Sequence, residues 1–198
     1  MNNINISICI PLYNGIEYIE DTLKSIREQT YQNFEILIGI NGHGEDGGKI
    51  FPLLKDIVSK LNLDEKCTVH IFGDLKSAPL TINRLVSLSK FDWIAHLDAD
   101  DIWNTTKLEK QVEVIQEFNP DVIGTHTQYF GERDIIPKLP SGMIDPAFWY
   151  YINPLIHSSV LIRKDLAQYS TKFVCYDLDN WLRLFKLDKK FYLSLIHI

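Results

Sequence analysis

The sequence has little cysteine, no excess of basic residues and no long apolar run, and each shortage removes a class of protein. Its three cysteines, Cys9, Cys67 and Cys175, are far apart and form no C-x-x-C pair. We read them as reduced core or near-core residues of a cytoplasmic protein. A formal net charge of −6 argues against nucleic acid as a partner, because such binders carry a basic face. No apolar run approaches the ~20 residues that span a bilayer. No transmembrane segment is expected, although peripheral membrane contact is compatible with the sequence. Met1-Asn2-Asn3-Ile4-Asn5 lacks the basic region that opens a signal peptide. Repeats, low-complexity tracts and interdomain linkers are absent. What is present, 198 residues of which 45 % are hydrophobic and 23 % charged, suits one globular domain with its own core.

Ile4 to Ile10 alternates isoleucine with Asn5, Ser7 and Cys9, a period of two that predicts a strand, which Pro11 should stop. A helix is expected from Glu17 to Gln29 with Ile19, Leu23 and Ile26 on one face. Phe34 to Ile40 is the nearly continuous apolar run of a parallel strand. Strand, helix, strand makes a βαβ unit. Beyond it the pattern predicts a helix over Ile50–Leu61, a strand over Thr68–Phe72 and a helix over Pro79–Ser89 with Leu80, Leu85 and Leu88 inward. A strand follows over Trp93–Leu97, then a helix from the Asn104-Thr105-Thr106 cap to Phe118. That helix should bury Leu108, Val112, Ile115 and Phe118 and expose Lys107, Lys110 and Glu113. Strands are expected over Val122–Thr127, His157–Ile162 and Phe191–Ile198, and a helix over Tyr176–Leu187 with Trp181, Leu184 and Phe185 inward. Gly131 to Pro154, broken by prolines and carrying Phe148-Trp149-Tyr150-Tyr151, reads as a binding loop or active-site cover. Its aromatics suit either sugar stacking or a small apolar cluster. The chain stops inside its last apolar run, so we expect a fragment lacking a carboxy-terminal part; residues 194–198 need not be native.

The chemistry concentrates at Asp98, Asp100 and Asp101, three carboxylates in four positions where a buried strand ends. Open α/β sheets bind ligands at the carboxyl ends of their strands. Clustered carboxylates there repel unless a cation or hydrogen bonds offset them. Asp98 and Asp100 together point to a hard divalent ion, Mg²⁺ or Mn²⁺, with positions left for substrate phosphates. Asp101 reads equally well as a turn or cap residue. A rival signal, Gly42-His43-Gly44-Glu45-Asp46-Gly47, matches the dinucleotide pattern G-x-G-x-x-G. It follows the second strand rather than the first, and Glu45 and Asp46 would repel a pyrophosphate, so a Gly-rich surface loop is the better reading.

Ile8-Cys9-Ile10-Pro11-Leu12-Tyr13-Asn14, then Leu23, Ser25, Gln29 and Phe34-Glu35-Ile36-Leu37-Ile38, resemble the opening of the family 2 glycosyltransferases. Asp98-Ala99-Asp100-Asp101-Ile102-Trp103 with Lys107-Leu108-Glu109-Lys110-Gln111 resembles the family's DxD region. Asn153-Pro154-Leu155-Ile156-His157-Ser158-Ser159-Val160 is similar to the strand before the acceptor side, and Asp177-Leu178-Asp179-Asn180-Trp181-Leu182-Arg183-Leu184 to the late motif E-D-Y-D-x-W-L-R-L. Four motifs in the expected order cover nearly the whole chain.

The resemblance implies an α/β GT-A fold: a Rossmann-like, mostly parallel sheet with helices on both faces. It implies a nucleotide-sugar-binding half at 1–103 and an acceptor-side half at 104–198. Pro11, Tyr13, Asn41 and Asn83 would contact the nucleotide sugar, and Asp98 the ribose or a metal-linked water. Asp100 would ligate Mn²⁺ or Mg²⁺, Asp177 would be the catalytic base, and His157 and Trp181 would lie on the acceptor side. Ile40-Asn41-Gly42-His43 stands where the family often has Asp-Asp-Gly-Ser, and Tyr176 where Glu precedes the base. The implied activity is metal-dependent inverting transfer from a nucleotide-diphosphate sugar, with UDP-sugar as leading donor, to a hydroxyl of a glycan or cell-surface polysaccharide. The alternatives are a catalytically inactive nucleotide-sugar-binding domain, an NAD(P)-dependent oxidoreductase and a nucleotidyltransferase. The last wants a basic Gly-rich loop near the first strand, and Leu12 to Ile16 has no Lys or Arg.

Overall fold

The computed structural model describes residues 3–45, 47–129, 136–137, 139–145, 148–149 and 151–197. Gaps inside the 131–154 connection, Tyr150 of its aromatic run and Ile198 therefore lie outside the described residues. Strand β1 (Ile6–Leu12) sends Ile6, Ile8, Ile10 and Leu12 into one core cluster and Cys9 into the other. Pro11 does not stop the ladder; it pairs with Gly39 of β2 (Phe34–Asn41). The Cys9 carbonyl accepts from Leu97 N at 3.2 Å, so alternate residues, Pro11 included, face β4 (Trp93–His96). The β1–β4 ladder ends at the Cys9–His96 pair, so no partner there needs the N–H that proline lacks.

Helix α1 (Ile19–Arg27) joins β1 to β2, α2 (Ile50–Lys60) joins β2 to β3 (Cys67–Phe72), and α3 (Ala78–Leu88) leads to β4. Then come α4 (Lys107–Phe118), β5 (Val122–His126), the short β6 (Gly142–Met143), β7 (Leu161–Arg163), α5 (Tyr176–Lys186) and β8 (Phe191–His197). Among the described residues the strand order is β3-β2-β1-β4-β7-β5-β8-β6. β1 to β4 are mutually parallel, β7 runs against both β4 and β5, β8 runs with β5, and β6 runs against β8. The sheet is thus mostly parallel. α1, α2 and α4 cover one face through Leu23, Leu54 and Leu108, and α3 and α5 the other through Leu85 and Leu184. This is the expected GT-A arrangement. No helix among the described residues is long and apolar enough to cross a membrane.

Several local expectations change. His157 to Ser159 is a 3-10 turn rather than strand, because Ser159 N and Oγ both donate to Ile156 O, at 2.9 and 2.7 Å, a side-chain competition with the ladder that serine favours. α3 turns Ile82, Leu85 and Val86 inward and leaves Leu80 and Leu88 exposed. Phe118 is exposed at the end of α4 and stacks on Tyr192. Cys9 and Cys67 are buried, with burial first among the causes raising both thiols, Cys67 to about 12; Cys175 is exposed.

Lys107, expected outside, is fully buried. Its Nζ donates to Gln111 Oε1 at 2.9 Å and sits 4.0 Å from the Trp103 ring centre. Burial pushes this amine well below the usual lysine range. The folded state therefore binds fewer protons here than the unfolded chain, and the linked stability rises with pH from the depressed value toward ~10.4, where an unfolded lysine titrates. Lys107→Met removes that dependence. In thermal melts across pH, the wild type should gain on the Met variant as pH rises; parallel profiles would show that Lys107 does not titrate with folding.

Candidate functional site

β2, β1 and β4 end at the same edge, and a cleft of about 390 Å³ opens there. Pro11, Tyr13, Asn41, Asp98 and Asp100 all line it. The sequence reading missed Glu17 and Lys76, which line it too. Lys76 lies in the β3–α3 connection and belongs to no motif; only the rule that ligands meet strand ends could have flagged that loop.

The carboxylate loop is held by polar side chains buried between α1 and the sheet. Thr22 Oγ1 donates to Ala99 O at 2.8 Å, Ser25 Oγ accepts from Trp103 N at 3.1 Å, and Gln29 spans Asn104 O (2.7 Å) and Leu108 N (3.1 Å). From the other side, Ser158 Oγ accepts from Asp98 N at 3.0 Å and Ser158 O from Trp103 Nε1 at 2.9 Å. Each such bond contributes about 1 kcal/mol net, and a buried partner left unpaired costs ~1–3 kcal/mol. This explains why α1 carries Thr22 and Ser25 on its core side and why Gln29 follows its end.

Asp98 is half-buried and its Oδ1 lies 3.6 Å from His157 Nδ1. Burial works to raise its carboxyl, but the His157 imidazole close beside it, then Ser158, outweigh it and hold the group below the usual range. Asp101 goes the other way: burial, then the charges of Asp98 and Asp100, raise it against its bond to Ser158. Asp100 is exposed.

Behind Asp98, His157 stacks on His96 with ring centres 4.6 Å apart, and His96 Nε2 shares a 2.8 Å hydrogen bond with Tyr169 OH. Burial, then His157 and Lys107, push His96 well down, so it is neutral. His157 is 6 % exposed; it stands against Asp98 rather than on an open acceptor surface. Asn83 is not brought to the cleft lining. Its Nδ2 donates to Tyr169 O and its Oδ1 accepts from Tyr169 N, both at 2.8 Å, so both ends of the amide are engaged. Trp181 is also displaced from its expected role. It is fully buried with Leu184 on the core face of α5, edge-on to Tyr169 at 6.0 Å, and has no surface to offer an acceptor.

Asp177 lies in the first turn of α5, partly exposed, with Asn153 Nδ2 at 3.4 Å from its Oδ2. Tyr176 beside it packs edge-on to His157 at 5.6 Å. Burial, then the charges of Asp98 and Asp177, raise the Tyr176 phenol. The His157 and Tyr176 rings thus link Asp98 at the β4 end to the first turn of α5.

The glycine-rich loop has a different use from a dinucleotide cradle. Gly42 sits at φ +78°, and a Cβ there would come within 2.6 Å of the Tyr13 ring. Glycine lets that ring lie over the end of β2, where it also meets the His43 ring at 5.4 Å. Among the described residues no three His, Cys, Asp or Glu side chains converge as a metal site; the two carboxylates of Asp98 and Asp100 meet the cleft.

A family model described as Glycosyl transferase family 2 matches residues 7–157. The O-antigen biosynthesis glycosyltransferase WbnJ of Escherichia coli is 25 % identical over 186 residues, 90 % of this chain and 71 % of that protein. The S. aureus TarS fragment in complex with UDP-GlcNAc superposes with a TM-score of 0.76 at 17 % identity, covering 98 % of this chain and 56 % of that one. The mannosyltransferase PcManGT of Pyrobaculum calidifontis, in complex with GDP-Man and Mn²⁺, gives 0.71 at 14 % identity, over 96 % of this chain and 55 % of its own. The chain thus spans little more than half the length of these two solved structures.

Proposed function

Because the chain belongs to glycosyl transferase family 2, we propose that it transfers a sugar from a nucleotide diphosphate, UDP-sugar foremost, to a hydroxyl acceptor in glycan or cell-surface polysaccharide synthesis. The carrying observation is one cleft: Pro11, Tyr13 and Asn41 at the ends of β1 and β2, and Asp98 and Asp100 at the end of β4, line it together. Residues 1–103 then form the donor half and 104–198 the acceptor half. The exposed Tyr13 ring offers a face for the base, and Asn41 Oδ1, buried without a partner, an acceptor for an imide N–H. UDP-GlcNAc in TarS supports uridine, while GDP-Man in PcManGT shows that a similar fold takes guanosine.

The donor set suits Mn²⁺ or Mg²⁺. Asp98 and Asp100 offer oxygen only, which hard cations prefer, and two carboxylates leave positions for diphosphate oxygens and water. Asp100, the exposed one, would be the ligand, and Asp98 its ribose-side partner. Such an ion supplies charge neutralisation at the leaving diphosphate. In the reaction the acceptor oxygen forms a bond to the anomeric carbon as the bond to the diphosphate breaks on the opposite face, inverting that carbon. Asp177 takes the hydroxyl proton, and Asn153 holds its carboxylate. The buried, free Cys9 and Cys67 support a cytoplasmic setting.

A thermal-shift screen of nucleotide sugars with and without Mn²⁺ tests the donor. UDP-sugars should raise Tm most, and more with Mn²⁺. Stabilisation by NAD(P) alone would overturn the reading, and binding of UDP-sugar without transfer or donor hydrolysis would reduce the chain to a binding domain.

A further inference from the structure

We propose that Lys76, together with the amino end of α3, is the protein's own cation for the donor's diphosphate, acting independently of any metal. This rests on the nucleotide-sugar reading of the cleft.

Lys76 is the single basic side chain among the described cleft residues, against three carboxylates, those of Glu17, Asp98 and Asp100. Among the described residues no ion pair or hydrogen bond engages its ammonium. An unpaired lysine facing a net negative cleft is positioned for a ligand that brings more negative charge. Ala78, the first residue of α3, lines the same cleft. The 11-residue α3 presents its positive dipole end there. Its N-cap residue, Ser77, makes no capping bond, and Ser77 Oγ is buried without a partner. Pro79 in the first turn removes one N–H that would otherwise need satisfying.

Asn41 supplies the independent sign that a ligand completes this place. It is 2 % exposed, lines the same cleft, and its Oδ1 has no hydrogen-bond partner. A buried carbonyl oxygen left unpaired costs stability unless a bound group donates to it. A base at Asn41 and a cation at the β4 end place the intervening diphosphate in the cleft that Lys76 and Ala78 line.

The test compares UDP and uridine binding by calorimetry, in EDTA and in Mn²⁺, for wild type, Lys76→Met and Lys76→Arg. Lys76 is exposed, and unchanged unliganded Tm checks that both variants fold. In EDTA, Lys76→Met should bind UDP about tenfold more weakly and uridine as the wild type does, with Lys76→Arg retaining most of the UDP affinity. Equal UDP affinity for wild type and Lys76→Met overturns this inference and leaves the proposed function standing. A wild type that binds neither UDP nor GDP, with or without Mn²⁺, overturns both.

Discussion

Asp177→Asn is expected to bind donor as the wild type does and to transfer sugar ~10²–10⁴-fold more slowly, the range that general bases contribute. The substitution keeps the shape of the side chain and the contact with Asn153, at 3.4 Å, while removing the ability to take a proton. Asp177 lies outside the cleft lining, so nucleotide affinity should not move. Unchanged KM for donor with a collapsed kcat is the expected signature. Transfer near the wild-type rate would assign the base elsewhere. Loss of donor affinity would instead show that Asp177 acts through Tyr176 and His157, whose rings link α5 to Asp98.

Asp100→Ala is expected to remove the Mn²⁺-dependent part of UDP binding and to lower transfer by ~10²-fold or more, since charge stabilisation at a leaving group is worth several kcal/mol. Asp100 is exposed and has no part in the hydrogen bonds that hold its loop, so the variant should fold normally. Titrating Mn²⁺ against UDP affinity reads the effect directly. Mn²⁺ dependence unchanged from wild type would take Asp100 out of the metal site. The affinity that persists in EDTA should be the same in Asp100→Ala as in wild type and should fall only when Lys76 is changed. The two residues therefore separate the two sources of positive charge.

The periodic elements were legible because periodicity reports burial. The apolar run of β2 is a direct consequence of a sheet covered on both faces, and the alternation in β1 reports the face by which Ile6, Ile8, Ile10 and Leu12 enter one core cluster. The carboxylates after β4 were legible because their cost at a strand end demands an explanation. Ser25 and Gln29 could be recognised as part of a pattern, but their task, tying α1 and the turn after it to the backbone of the Asp98–Asn104 loop, could not be read from that segment alone.

Other residues were misjudged for the same kind of reason. Lys107 looks like the charged side of an amphipathic helix, yet α4 packs so that Trp103 and Gln111 enclose its amine. Trp181 carries a family motif and is core. Asn83 sits in a helix near the site, and its amide is taken by the backbone of Tyr169, 86 residues away in the chain. The succession of strands and helices along the chain and the carboxylate cluster were thus present in the residues themselves, since propensity, period and charge repulsion act between near neighbours, and the motifs carried the family; the order of strands in the sheet came only with the fold. Which polar side chains face the cleft and which are spent inside was decided only by tertiary packing, because a hydrogen-bond partner or an enclosing wall comes from a distant segment that local sequence does not specify.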